Sequence, residues 1–95
     1  MTKRNRFASV WDALEKPKEA ASLKARAEVA HALLDEIERR SLTQSRAAAL
    51  LGVTQPRVSD LVRGRLDLFS LDTLVEMAGR VGFNVGIKLS RRRAA

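Results

Sequence analysis

The sequence contains no cysteine and no tyrosine, and it has a single histidine, His31. The absence of cysteine excludes both a disulfide-stapled scaffold and a thiolate metal site. Because His31 has no evident co-ligands, we expect it to pack at a helix surface and not to bind a metal. No pairing of a nucleophile with a base emerges from the remaining side chains, so we expect neither an enzyme nor a protein that carries a cofactor.

Aromatic residues and long apolar runs are also scarce. Three phenylalanines and one tryptophan offer few platforms on which RNA bases could stack. No segment approaches the ~18 consecutive apolar residues that a membrane span needs. The basic first six residues lead through Phe7 and Trp11 directly into Asp12, without the apolar core of a signal peptide. We therefore expect a cytoplasmic protein.

What the sequence has in excess is positive charge. Lysine and arginine number 18 against 11 aspartates and glutamates, which gives a net charge of +7 in 95 residues. This imbalance indicates a polyanionic partner, most simply a nucleic acid. The length suits one small domain. We divide the chain into a disordered basic arm (1–6), a single domain (7–90) and a disordered basic tail (91–95).

Apolar spacing and capping residues predict a mainly α-helical domain of five helices. A capping box of Ser9 and Asp12 begins a short first helix. Pro17 suits the first turn of a second, longer helix. The apolar face of that helix follows steps of three and four residues: Leu23, Ala27, Ala30, Leu34 and Ile37. Ser70 caps the fifth helix, and Gly82 ends it.

Residues 42–64, LTQSRAAALLGVTQPRVSDLVRG, contain the same short pattern twice. Thr43 and Thr54 are good helix N-caps, and each precedes a glutamine. Gly52 can take the left-handed conformation that ends the first of these helices, and Gly64 ends the second. Two short helices that meet at one glycine predict a helix-turn-helix core over 42–64. Small or inward-facing residues at their contact support this angle: Ala48, Val58 and Leu61.

The last part of the domain changes to a period of two. Apolar and polar residues alternate from residue 83 to residue 90, which predicts a β-strand with these apolar side chains: Phe83, Val85, Ile87 and Leu89. One strand alone leaves its backbone hydrogen bonds unsatisfied, and the chain has no convincing second strand. We therefore expect the strand to pair with its copy in a second subunit, which makes the protein a homodimer.

The start of the second helix of the motif carries the side chains suited to duplex DNA. In such a motif this helix presents its N-terminal residues to the major groove. Gln55 can bond bidentately to adenine, Arg57 can do so to guanine, and Ser59 faces the same side. Because helix N-termini favour phosphates, we expect Gln44 and Thr54 at the DNA backbone. Two residues at the far end of the helix are also expected to bind phosphates: Arg63 and Arg65.

These motifs resemble a known family. Residues 42–82 are similar to the XRE, or Cro/repressor-like, helix-turn-helix family, and GVTQPRVSDL is the most specific part. More narrowly, residues 7–89 resemble HigA-type antitoxins through VWDALEKPKEAASLKAR, LTQSRAAALLGVTQPRVSDLVRG and FSLDTLVEMAGRVGFNV. The resemblance implies a dimeric, sequence-specific repressor that binds a palindromic operator in its own operon. It also implies a RelE-like ribonuclease toxin as a protein partner, and a place in the bacterial cytoplasm at the nucleoid.

Carried over by position, the resemblance implies DNA contacts at matching places: Gln44, Thr54, Gln55, Arg57 and Ser59. Two positions depart from the family pattern. Arg46 stands where a glutamate is common, which removes the capping box of that helix. Ser41 stands where a glycine is common, so that turn must close without one.

Two alternatives stay open from the sequence. The helix pair could be purely structural, with Arg57 only solubilising its helix. Alternatively, toxin neutralisation is the main activity and DNA binding is secondary. The partner surface would then lie ahead of the motif, at Phe7, Trp11 and Leu14. Trp11 would otherwise anchor the core.

Overall fold

The computed structural model describes residues 17–91, with side chains from residue 21 onward. This part of the chain contains four α-helices and one 3-10 helix. They are, in order, α1 (Pro17–Arg39), α2 (Gln44–Leu51), α3 (Gln55–Val62), the 3-10 helix (Leu66–Leu68) and α4 (Leu71–Arg80). Among the described residues, no helix has the length and apolar content needed to cross a membrane.

The all-α class is confirmed, but the prediction of five helices with a C-terminal strand is wrong. The helix predicted to begin at Ser9 and the arm over 1–6 lie outside the described residues, and residues 83–91 form no strand. A strand needs a second strand to receive its backbone hydrogen bonds, and the described chain supplies none. Ile87 and Leu89 are 78% and 88% exposed, so burial does not fix their alternation either. The dimer contact assigned to that strand is withdrawn with it.

The main core lies between α1 and α4, the two longest helices. Each contributes one apolar face, and the loop before α4 adds the buried ring of Phe69. The predicted stripe on α1 is confirmed at Leu23, Ala30 and Leu34, which are buried. The other large buried side chains of this core are Leu33, Leu51, Leu61, Leu66, Leu74 and Met77. The core therefore forms the base on which the shorter α2 and α3 rest.

A second, smaller cluster joins α2 to α3. It is built from the buried Ala47, Ala48 and Val58, with Leu42 and Val53 packed against it. Because two of the three buried side chains are single methyl groups, the two helix backbones can approach closely. Ala48 and Val58 confirm the predicted contact between the two helices, whereas Leu61 faces inward as predicted but is buried in the main core.

All four α-helices end in the same backbone turn. In each turn one residue has a positive φ, and the next residue donates its N–H to a carbonyl five positions back. These donor–acceptor distances are 3.0 Å (Leu42 to Ile37), 3.0 Å (Val53 to Ala48), 2.9 Å (Arg65 to Asp60) and 3.0 Å (Phe83 to Ala78). This is the Schellman arrangement, which satisfies carbonyls that the end of a helix leaves without partners. The positive-φ residues are Ser41, Gly52, Gly64 and Gly82.

Arg26 on α1 binds the loop that precedes α4, which comprises residues 66–69 and contains the 3-10 helix. Its Nη1 donates to the carbonyl oxygen of Leu66 at 2.9 Å and to that of Phe69 at 3.3 Å. Hydrogen bonds from a charged donor are stronger than those between neutral groups. One guanidinium thus fixes both ends of this loop to α1.

Arg40 connects the C-terminal ends of α1 and α4. Its Nη2 donates to the carbonyl of Val81 at 3.2 Å, and its Nε donates to the Glu36 carboxylate at 2.6 Å. Arg39 also donates to Glu36. The hydrogen bond from Arg39 holds the pKa of Glu36 below its ordinary value, and the hydrogen bond from Arg40 has a smaller effect in the same direction. The α1 terminus therefore ends in a charged group of three side chains.

Candidate functional site

Two short helices, α2 and α3, present similar N-terminal turns to solvent. The Thr43 hydroxyl accepts the backbone N–H of Arg46 at 3.1 Å, and the Thr54 hydroxyl accepts that of Arg57 at 3.4 Å. Both threonines have extended backbone angles, as N-caps require. The predicted caps are confirmed. Each is followed by an exposed glutamine, Gln44 or Gln55, at the helix tip.

The turn between α2 and α3 depends on Gly52. Its φ is +73°, a left-handed conformation that glycine adopts without a side-chain clash. A Cβ at this position would also lie 2.7 Å from Nε and Cζ of Arg80, because that guanidinium covers the turn. A side chain here would displace only the flexible end of Arg80, so the positive φ is the main reason for glycine at this position. The predicted left-handed conformation of Gly52 at the end of α2 is confirmed.

The outer face of α3 is open to solvent within the described part of the chain. Val58 and Leu61 point inward and are fully buried. Gln55 is exposed and Ser59 is half-buried one turn later, so the two side chains share one face. A helix that carries its polar face and its N-terminal turn outward can enter the major groove of a duplex. The contacts of these side chains with DNA stay a prediction.

Arg57 differs from the other predicted DNA-contacting residues because its guanidinium is already engaged. Its Nη1 donates to the carbonyl oxygen of Leu68 at 3.0 Å. The Cζ atom also lies 4.1 Å from the centroid of the Phe69 ring, in a cation–π contact. The side chain is half-buried. Arg57 therefore points along the loop after α3, and it does not stand free beside Gln55.

Reading a guanine would require Arg57 to leave both partners. A cation–π contact contributes about 0.5–2 kcal/mol, and a hydrogen bond from a charged group about 1.5–3 kcal/mol. A bidentate contact with the right base discriminates by roughly 1–3 kcal/mol. The free energy gained from a guanine is thus comparable to or smaller than what the side chain gives up.

Arg63 and Arg65, the two predicted phosphate contacts beyond α3, are each paired with a carboxylate. Arg63 Nη2 lies 3.2 Å from Asp60, and its side chain is still 63% exposed. Arg65 Nε lies 3.4 Å from Asp67, and their hydrogen bond lowers the pKa of Asp67 and raises the pKa of Arg65. Exposed ion pairs of this kind exchange readily, so both arginines can still turn to phosphates.

Arg46 is a basic residue that the list of predicted contacts leaves out. It lies in the first turn of α2, beside Gln44, and is exposed. Its side chain has no hydrogen bond or ion pair with any residue of 21–91. Its position in the sequence could have indicated a phosphate contact. The first turn of a helix has free N–H groups that face a phosphate, and a cation in that turn lies beside the same phosphate.

The predicted partner-binding residues Phe7, Trp11 and Leu14 lie outside the described residues. His31 approaches the Asp35 carboxylate at 3.6 Å, one helical turn away on α1. Over the described range, no three histidine, cysteine or acidic side chains are grouped as metal ligands would be.

Comparison with known proteins gives one match. The sequence model of a family described as a helix-turn-helix domain matches residues 14–90, which is most of the chain. This range contains the whole arrangement of α1 to α4 described above. No curated protein matches the chain significantly.

Proposed function

The chain belongs to the helix-turn-helix domain family, and from this premise we propose that it is a transcriptional repressor that binds a specific duplex DNA sequence. The observation that carries this proposal is the open outer face of α3, with the exposed tip residue Gln55 directly after the turn at Gly52. The net charge of +7 supports a polyanionic partner.

The proposed contacts divide into base contacts and backbone contacts. Gln55 bonds to an adenine edge in the major groove, and Ser59 lies next to it on the same face of α3. Gln44 and Thr54, at the starts of α2 and α3, meet phosphates where helix N–H groups point outward. Arg63 and Arg65 exchange their carboxylate partners for phosphates. Backbone contacts fix the register, and Gln55 contributes the sequence preference.

The active form we propose is a homodimer on a palindromic operator. One α3 has eight residues and spans only a few base pairs. Repressors of this architecture place two recognition helices about 34–36 Å apart on successive turns of the duplex.

The test of this proposal is a binding-site selection from random duplex DNA, with Gln55→Ala and Gln44→Ala as a matched pair. We expect the wild type to recover a palindrome with its half-sites one helical turn apart. Gln55→Ala should lose the preference at one position in each half-site, at a cost of roughly 1–3 kcal/mol. Gln44→Ala should weaken binding to all sequences alike, because it removes a phosphate contact. An unchanged consensus and affinity for Gln55→Ala would contradict the assignment of this residue.

The finer proposal is that the repressor is also an antitoxin, and it rests on the resemblance of residues 7–89 to HigA-type antitoxins. In this proposal Phe7, Trp11 and Leu14 bind a RelE-like ribonuclease, while α3 binds the operator. Co-expression with such a toxin separates the two surfaces. Gln55→Ala should still protect the cells but no longer repress the promoter, whereas Trp11→Ala should fail to protect. If Trp11→Ala protects as well as the wild type, this partner surface is wrong.

A further inference from the structure

The contact between α3 and the following loop assigns a different role to Arg57 from the other residues of the motif. We infer that Arg57 is a positioning residue, which fixes the first turn of α3 and thereby the direction of Gln55, and that it does not read a base. This inference rests on the proposed function, because it concerns how the DNA-binding face is held.

Arg57 is held at both its backbone and its side chain. Its N–H is bound by the Thr54 hydroxyl at 3.4 Å, and its guanidinium donates to the Leu68 carbonyl at 3.0 Å. The first turn of α3 is therefore tied to its own cap on one side and to the loop on the other. Gln55 lies within this turn, two residues before Arg57. A change at the guanidinium is transmitted to Gln55 through three residues of backbone.

The loop that receives Arg57 is itself fixed. Phe69 is only 2% exposed, and its ring cannot follow the guanidinium into solvent without leaving the core. On the other side, Arg26 binds the carbonyls of Leu66 and Phe69. Two guanidinium groups from different helices thus hold one loop of four residues. We name the contacts of Arg57 with Leu68 and Phe69 the loop clamp.

The nearest carboxylate on α3 does not compete for Arg57. Asp60 is three residues further along the helix, a spacing that brings side chains together. It is paired with Arg63 at 3.2 Å and is 20% exposed. The guanidinium of Arg57 is therefore directed to the loop and not along the surface of α3.

The loop clamp predicts a distinct pattern of DNA binding. A residue that reads guanine affects one position of the operator. A residue that binds a phosphate affects every duplex by the same factor, whereas a residue that orients the reading turn weakens the preference at the base that Gln55 reads. A residue that only stabilises the fold changes neither, as long as the protein is fully folded at the temperature of the measurement.

The experiment compares Arg57→Gln, Arg57→Lys and Phe69→Leu with the wild type. Arg40→Gln serves as the control, because Arg40 also binds a backbone carbonyl but lies outside the helix-turn-helix motif. The probes are the consensus duplex that the wild type recovers from a random pool and an unrelated duplex of equal length. For Arg57→Gln we expect the affinity for the consensus duplex to fall on the order of tenfold, with a weakened preference at the adenine that Gln55 reads and a nearly unchanged affinity for the unrelated duplex. Arg57→Lys should behave similarly although it keeps the charge, because lysine has no planar group to stack on Phe69.

Phe69→Leu removes the stacking partner while Arg57 stays in place. We expect it to reproduce the Arg57→Gln pattern, and the double variant should be little worse than either single variant. If Phe69→Leu does not fold, the two Arg57 variants decide the question alone.

Three outcomes would overturn the inference. A consensus that loses one guanine in Arg57→Gln makes Arg57 a base reader. Unchanged affinities in folded Arg57→Gln leave it a role in stability only. If the wild type recovers no sequence at all, the proposed function fails, and the role of Arg57 falls with it. The first two outcomes leave the proposed function intact.

Discussion

Ser41 is the residue with a positive φ in the turn that ends α1, whereas the corresponding residue after each of the other three helices is a glycine. The φ of Ser41 is +52°, and its N–H bonds to the carbonyl of Glu38 at 3.0 Å in the turn that ends α1. A side chain in this region is placed too close to its own backbone, at a cost of roughly 1–2 kcal/mol. Glycine avoids that cost but loses more entropy on folding, which offsets about 0.5–1 kcal/mol. The turn therefore forms with strain that the Schellman hydrogen bonds hold in place.

We expect Ser41→Gly to raise the free energy of unfolding by about 0.5–1 kcal/mol, since the strain is removed and both hydrogen bonds stay. Urea denaturation measures the change. Ser41→Ala is the control, because it removes the hydroxyl but keeps the side-chain strain, and it should leave stability nearly unchanged or lower it. A Ser41→Gly variant less stable than the wild type would show that this turn carries no strain.

The helix-turn-helix element is held from outside as well as from within. Arg80, in the last turn of α4, covers the Gly52 turn with its guanidinium. A cation at the C-terminal end of α2 also interacts favourably with the partial negative charge of that helix end. The angle between α2 and α3 is thus supported by a residue from a third helix.

We expect Gly52→Ala to cost more in the wild type than in an Arg80→Ala background. In the wild type it adds backbone strain of roughly 1–2 kcal/mol and displaces the guanidinium. In the Arg80→Ala background only the strain is left. Gly82→Ala is the control, because its φ is also positive but nothing lies within 4 Å of its Cβ. Its cost in urea denaturation should be the same in both backgrounds, and equal costs for Gly52→Ala would remove the role of Arg80.

Elements defined by local chemistry could be predicted from the sequence, and those defined by distant contacts could not. The caps at Thr43 and Thr54 and the stop at Gly52 depend on neighbours within a few residues. The strand over residues 83–90 depends on a partner that a periodic pattern cannot supply. Apolar and polar residues do alternate there, but this pattern does not produce a β-strand without a second strand to pair with.

The same distinction applies to the candidate site. The open position of Gln55 followed from its place after an N-cap. The engagement of Arg57 did not, because its partners Leu68 and Phe69 lie 11 and 12 residues further along the chain. No local rule connects them, and the side chain of an arginine is long enough to reach either the groove or the loop.

For the molecule as a whole, the total of 18 basic side chains overstates the number of cations that are free to meet phosphates. Within the described residues, the arginines whose guanidinium groups bind carbonyls are Arg26, Arg40 and Arg57. Arg39 is paired with a carboxylate, and so are Arg63 and Arg65, although the exposed pairs of the last two can exchange for phosphates. Arg46 has neither kind of partner in this part of the chain. The salt dependence of DNA binding should therefore reflect fewer contacts than the composition implies.

We expect Arg46→Gln to reduce the slope of log affinity against log salt by about 1.8, because each of the two subunits loses one phosphate contact that contributes about 0.9. Glutamine at this position also completes the capping box with Thr43, so the fold is not weakened by the change. Arg40→Gln is the control. It should lower stability through the lost bond to Val81 and leave the slope unchanged. An unaltered slope for Arg46→Gln would mean that this residue does not touch the backbone of DNA.

Arg26, Arg40 and Arg57 each hold two separate groups with one planar guanidinium. Arg40 uses Nε and Nη2, Arg26 uses Nη1 for both carbonyls, and Arg57 uses Nη1 and its flat face. An ammonium offers no such flat geometry. Replacing all three residues by lysine would keep the net charge, the isoelectric point and the hydropathy almost the same. It would nevertheless remove the guanidinium contacts that join the helices to one another and to the loop before α4. Two related chains with the same net charge therefore hold their helices together equally well only if both have arginine at these three positions.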